Sequence, residues 1–238
     1  MIDLGKWTES ELDALLSTAQ KMPAPGGRLG FLTKQFMGVS YRAATLIGSD
    51  TEPEQFVINL SAVDCFTLLD YLEAMRRSGS YARFVETLKC VRYRNCAVEY
   101  RMRNHFFSDW PAYQPEFITD VTGQIANGAC ETVDKVLNAK ADGGFWLPGI
   151  DTRRRRITFI PADRVDAPVL AGLRTGDYAG IYSASEGLDV SHVGIVIKGP
   201  FVTYFRHASS AADRMRVIDD DLAEYLAGKP GLIVYRPK

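Results

Sequence analysis

Cys65 stands in the run Val63-Asp64-Cys65-Phe66-Thr67-Leu68-Leu69-Asp70, where a short acidic side chain precedes a thiol and an apolar pattern of helical period follows. A thiol in the first turn of a helix faces unpaired backbone N–H groups and the positive end of the helix dipole, and both favour the thiolate. A thiolate so placed can attack an acyl carbon. Asp64 is then the N-cap, its carboxylate accepting a hydrogen bond from an N–H one turn in. Free cysteines also pack as small buried hydrophobes, so the sulfur needs a base before it signifies catalysis.

Only three histidines are available to supply that base. His192 begins the β-prone run His192-Val193-Gly194-Ile195-Val196-Ile197, and His207 ends the next one, Thr203-Tyr204-Phe205-Arg206-His207. If Gly199-Pro200 turns the chain, the runs form a hairpin in which the start of one strand lies beside the end of the other. One imidazole can then take the thiol proton while the second bonds its other ring nitrogen and fixes the tautomer. Either histidine alone reads as a structural residue at a sheet end. The pair, with a helix-start cysteine upstream, points to a nucleophilic hydrolase.

The order Asp64-Cys65, then Gly176-Asp177 before a strand, then Ser191-His192-Val193-Gly194-Ile195, then His207-Ala208-Ser209 resembles the NlpC-type, papain-like cysteine peptidases of bacterial cell walls. The resemblance implies Cys65 as nucleophile, His192 as base and His207 as orienter. A narrower resemblance covers almost the whole chain. Phe36-Met37-Gly38-Val39-Ser40-Tyr41, Glu54 to Leu60, Asp64-Cys65-Phe66-Thr67, Val91-Arg92-Tyr93-Arg94, Arg103 to Trp110 and Gly231 to Arg236 are similar to the N-acetylmuramoyl-L-alanine amidase-like branch. The implied reaction is hydrolysis of the amide joining the lactyl group of N-acetylmuramic acid to L-alanine. That branch carries a glycine after the Arg-Tyr-Arg turn, where this chain has Asn95-Cys96.

Further site positions follow from the same resemblance. Tyr41 matches a tyrosine near the nucleophile, whose hydroxyl helps the oxyanion or holds substrate; a core aromatic is the alternative. Asp64 faces the substrate peptide as well as capping, and Ser191 counts among the substrate-binding positions. Arg103, Asn104 and His105 form a branch-specific cluster able to present donors to a sugar or a peptide carboxylate, with Asp109-Trp110 adding a stacking face. Solvated strand polarity and a structural imidazole are the competing explanations. The implied partner is a peptidoglycan fragment, a muropeptide, with no cofactor and no metal.

The elements that must position these residues are legible from periodicity. A helix is predicted from about 8 to 20, opened by Thr8 with Glu11 three residues on and closed by Pro23, Pro25, Gly26 and Gly27. A second should cover 28 to 37, a third should start at Asp64 and end near Gly79, and a fourth should run from 81 to 90. The segment 91 to 107, β-prone residues interleaved with arginines, reads as a hairpin or a long strand pair with a turn at Arg94-Asn95. Short β-rich runs at 157–160, 177–182, 192–197, 201–206, 215–218 and 232–235 predict an antiparallel sheet or open barrel. Helices first and strands later define an α+β fold rather than an alternating βαβ one. One domain, 1–238, is expected, with a helical part to about 90 and a β-rich part from about 155.

The chain has 238 residues, 46% hydrophobic and 24% charged, with a net charge of −1. It can bury a sizeable core and has no global basic field to recruit nucleic acid. Arg153 to Arg156, four residues long and without interleaved aromatics, reads as a solvated loop or a contact for an acidic partner. No apolar run approaches the ~20 residues of a membrane span, and a soluble monomer is expected. Cytoplasm, or the cell envelope after loss of a signal segment, are both compatible with the N-terminus. Cys65, Cys90, Cys96 and Cys130 lack metal-site spacing, and Cys90 and Cys96 are expected reduced and buried although a turn could bring them together. An endopeptidase cutting inside the stem peptide shares the same triad. A non-catalytic wall-binding module would be expected to lose a triad residue, and a transglutaminase-like acyl transferase would end the triad in Asp rather than His.

Overall fold

The computed structural model describes residues 1–238, and its elements are α+β. The first half of the chain runs β1 (Ile2–Asp3), α1 (Glu9–Gln20), α2 (Pro25–Lys34), β2 (Ser40–Tyr41), β3 (Ile58–Asn59), β4 (Ala62–Val63), α3 (Cys65–Arg76), α4 (Tyr81–Arg92) and α5 (Asp109–Tyr113). There follow β5 (Ile118–Asp120), α6 (Thr122–Ala126), β6 (Glu131–Leu137), β7 (Arg153–Pro161), α7 (Ala167–Gly172) and β8 (Tyr178–Tyr182). The chain ends with β9 (Val190–Lys198), β10 (Thr203–Ser209), β11 (Arg216–Asp221), α8 (Leu222–Leu226) and β12 (Gly231–Pro237). Contacts divide it into two units, Met1–Arg103 with Arg206–Asp219, and Asn104–Phe205 with Asp220–Lys238.

In the first unit α1 begins as its sequence requires. Thr8 Oγ1 accepts from the Glu11 N–H, and Glu11 returns a carboxylate to the Thr8 N–H at 2.8 Å, a reciprocal cap. Leu12, Leu16 and Ala19, spaced on one helical face, are buried. Helix α2 starts at Pro25 rather than at residue 28, because proline is tolerated at the first helical position, where its missing N–H is not needed. Helix α3 packs against α1, α2 and α4, and Thr67 through Arg76 are buried on every side. Such a helix carries polar residues only if they are paired. Asp70 meets Arg92 of α4 at 2.9 Å, Arg92 also donates to the Val57 carbonyl at 2.6 Å, and Glu73 holds Arg76 through two bonds.

The expected hairpin over 91–107 does not form. Helix α4 continues to Arg92, short 3-10 turns occupy 94–96 and 100–102, and one bridge joins Tyr93 to Arg103. Asn95 and Cys96 take φ values of 55° and 56°, left-handed conformations that no strand can absorb in succession. Cys96 is bonded to Cys90. The expectation of reduced thiols is therefore corrected: the left-handed turn brings the chain back over the last turn of α4.

The first unit's strands are short. β2 pairs in parallel with β4, placing Tyr41 opposite Val63, and antiparallel with β11 through Ser40 and Arg216. In the second unit β12 is central, antiparallel to β8 on one side and to β7 and β5, with β6 on β7 and β9 on β8. The C-terminal strands are antiparallel there, as expected; β7, β9 and β12 run longer than predicted and β8 one residue shorter. Their core gathers Ile160, Val196, Phe205, Leu232 and Val234 with Val121, Val169 and Leu222 from the short helices. Arg153 to Arg156 correct a second expectation, since they lie in β7 rather than in a loop. The two-residue period turns Arg153 and Arg155 onto buried Asp109, at 3.1 and 3.0 Å, and leaves Arg154 and Arg156 exposed.

Candidate active site

Cys65 is the first residue of α3 and half-buried. Asp64 Oδ1 accepts from the N–H groups of Phe66 (3.0 Å) and Thr67 (2.7 Å), and Thr67 Oγ1 accepts from the Asp64 N–H at 3.0 Å. That double cap fixes where the helix starts, and so which way the thiol leaves the backbone. β4 delivers the chain to this point, and its parallel pairing with β2 sets Tyr41 two residues across from the thiol. Tyr41 is held further by its own N–H on the Met215 carbonyl, 2.9 Å. Its phenol pKa lies above the ordinary value, first through burial and then through the charges of Cys65 and Asp64. A phenol kept protonated beside a nucleophile is a hydrogen-bond donor.

His207 belongs to the same unit as Cys65 and is 2% exposed, on β10. Its neighbour Arg206 grips Asp219 through two bonds of 2.7 Å and donates to Thr33 Oγ1 at 3.0 Å, anchoring the strand. His192 and Ser191 belong to the second unit, on β9. There the register shifts: His192 faces Ile181 but Val190 faces Tyr182, leaving Ser191 as the extra residue of a β-bulge. Bulges re-aim the side chain that follows. The His192 ring is half-buried, with Phe205 edge-on at 6.0 Å between centroids and Tyr225 at 6.2 Å.

The branch-specific cluster is largely interior. Arg103 forms an ion pair with Glu54, which also accepts from the Tyr93 hydroxyl at 2.6 Å. Asn104 is 3% exposed and donates to Gln114 at 3.1 Å. His105 is half-buried, and its N–H and that of Phe106 donate to Asp109 Oδ2. Trp110 is 2% exposed and packs edge-on against Tyr178, which corrects its expected role as a stacking face for ligand. Gly176, at φ 92°, bends the chain into β8, and Asp177 receives both Arg236 bonds at 2.7 Å.

Sequence reasoning missed the anchors. Asp109 takes two backbone N–H groups and two guanidinium groups, burial raising its pKa and Arg153 and Arg155 lowering it. The alternation of Arg153 and Arg155 in a β-prone run was the signal that an inward acid awaited them. No group of three or more His, Cys, Asp or Glu side chains is arranged to hold a metal ion, and no helix is long and apolar enough to cross a membrane.

An α+β protein presenting a capped helix-start cysteine next to a tyrosine is the class these features define. The sequence profile of the AmiA-like, N-acetylmuramoyl-L-alanine amidase-like family matches residues 31–232, and the chain belongs to that family. No curated protein matches it by sequence. Among solved structures, protein LPG0564 from Legionella pneumophila is similar at TM-score 0.80 and 20% identity, over 96% of this chain and 94% of that one. An N-acetylmuramoyl-L-alanine amidase from Bacteroides uniformis is similar at TM-score 0.74 and 25% identity, over 90% and 99%. A putative xylanase from Bacteroides fragilis follows at 0.67 and 24%, over 86% and 98%.

Proposed function

We propose that the chain is a papain-like, NlpC-type cysteine amidohydrolase that cleaves the amide between N-acetylmuramic acid and L-alanine in muropeptides, with Cys65 as nucleophile, His192 as base and His207 as orienter. The observation that carries this reading is Cys65 at the first position of α3, under the Asp64 cap and beside the Tyr41 phenol. Family membership and the likeness to an enzyme named N-acetylmuramoyl-L-alanine amidase support the choice of bond.

Cys65 Sγ attacks the lactyl carbonyl carbon, and its proton passes to His192. The oxyanion so formed accepts from the Cys65 backbone N–H and the Tyr41 hydroxyl. The imidazolium of His192 then protonates the L-alanine nitrogen, the C–N bond breaks and a thioester remains. His192 next takes a proton from water, whose oxygen attacks the thioester and releases the lactyl carboxylate and the thiol. Asp64, Ser191 and His105 contact the substrate, and Arg103 and Asn104 hold the 103–105 segment through Glu54 and Gln114. The proposed place of work is the bacterial cell envelope, where an oxidising milieu favours a disulfide such as Cys90–Cys96.

Digestion of a defined disaccharide-peptide, read by mass spectrometry, tests the reading. Free sugar with intact peptide is expected; a sugar-dipeptide product would instead assign an endopeptidase, and no product would favour a wall-binding module. Cys65→Ala and His192→Ala should abolish turnover, and full activity in either overturns the assignment.

A further inference from the structure

The connection from β8 to β9, residues 183–189, is strapped down along its length by one neighbouring segment. Lys135 Nζ, on β6, donates to the carbonyls of Ser183, Ser185 (2.9 Å) and Leu188 (2.8 Å). Beyond β6 the chain doubles back through a bridge between Ala139 and Phe145, and this return supplies two more donors. The Asn138 N–H reaches the Gly187 carbonyl at 2.8 Å, and Trp146 Nε1 reaches that of Glu186 at 2.9 Å. Five carbonyls within the six residues Ser183–Leu188 thus take donors from 135–146, three of them from one ammonium.

Carbonyl dipoles repel when their oxygens converge, so a connection folded this way needs a cation at the focus. Lys135 fills that need with three donors on one atom. Its ammonium also lies 4.7 Å from the centre of the Tyr182 ring, at the end of β8. Burial lowers its pKa, and Asp189 and Glu186 raise it. Immediately after the last clamped carbonyl, buried Asp189 accepts from the Ser108 N–H at 2.7 Å, and then come the bulge at Ser191 and His192. Gly187 fits only as glycine: its φ is 76°, and a Cβ would lie 2.2 Å from the Ala139 carbonyl oxygen.

We propose that Lys135 is a positioning residue for His192: by gathering three carbonyls of the β8–β9 connection it fixes the entry into the Ser191 bulge, and with it the direction of the imidazole. This rests on the proposed role of His192 as base. Lys135 touches no reacting atom; it sets where the base stands.

Lys135→Met keeps the length of the side chain and removes the cation. On a defined muropeptide kcat should fall roughly 10²-fold, the order of loss expected for a misplaced catalytic group, while KM changes less than about twofold. NMR titration of the three histidines gives a readout that needs no turnover. The His192 resonance and its pKa should move, with His105 unchanged as internal control, and Lys135→Arg should recover most of both. Trp146→Phe, at an exposed site, removes one strap and keeps the cation; it should shift His192 in the same direction by less, and serves if Lys135→Met fails to fold. An unchanged His192 titration in folded Lys135→Met, or in Trp146→Phe where the first is unfolded, overturns the proposal. Absence of muropeptide turnover in the unaltered protein, with the His192 shift intact, would instead reject the assigned reaction and leave the positioning role standing.

Discussion

Asp64 does two things from one position, and they can be separated by experiment. As a cap it satisfies the Phe66 and Thr67 N–H groups, so Asp64→Ala should cost about 1 kcal/mol of stability, read by urea denaturation. As a neighbour of the thiol its charge opposes the thiolate, while the helix start it secures favours it. Alkylation of Cys65 followed against pH decides which prevails: loss of the helix start predicts slower labelling of the alanine variant at neutral pH, and faster labelling would show the charge to dominate. Tyr41→Phe removes only the hydroxyl. If that hydroxyl holds the oxyanion, kcat should fall on the order of 10²-fold with stability little changed; unaltered kcat would return Tyr41 to a packing role.

At the scale of elements, α3 is the buried axis of the first unit, and its polar residues make it sensitive to pH. Burial pushes the Asp70 carboxyl up to about 6, and the Arg92 charge offsets only part of that. The unfolded chain titrates near 3.9, so between these values the folded protein holds more protons. This group's contribution is therefore most favourable below pH ~4 and declines by about 3 kcal/mol as pH rises through 6. The stability difference between the unaltered protein and Asp70→Asn, measured from pH 4 to 7, should show that slope. The turn after α4 gives a second test at this scale. Replacing Cys90 and Cys96 by serine should cost about 2 kcal/mol for so short a loop. Cys90→Ser with Cys96→Gly should recover about 1 kcal/mol of it, because glycine takes the left-handed conformation without a Cβ penalty. Equal melting points for the two double variants would refute a left-handed penalty at Cys96.

Across the whole molecule, its buried acids tie together segments far apart in sequence. Asp109 joins the 105–109 segment to β7, and Asp177 joins the entry of β8 to Arg236 near the C-terminus. Asp109→Ala would leave Arg153 and Arg155 without their acid and two N–H groups without an acceptor, a loss of about 3–5 kcal/mol. Chemical denaturation should show it, and a loss under 1 kcal/mol would mean that solvent already screens the cluster.

Much was readable from the chain alone wherever the determinant lies within a few residues. Thr8 with Glu11 and Asp64 with Thr67 are contacts three residues apart, so the starts of α1 and α3 follow from local sequence, and with the latter the place of Cys65. The strands from β8 to β12 announced themselves by alternation and turn residues. What the sequence did not decide depends on where distant chain returns: the bond between Cys90 and Cys96 across two left-handed residues, the inward turn of Arg153 and Arg155 onto Asp109, the burial of Trp110, and the grip of Lys135 on the connection before His192. A cap is set by the geometry of one helical turn. A buried charge or a converging set of carbonyls finds its partner only when the folded chain has removed the water that would otherwise have served.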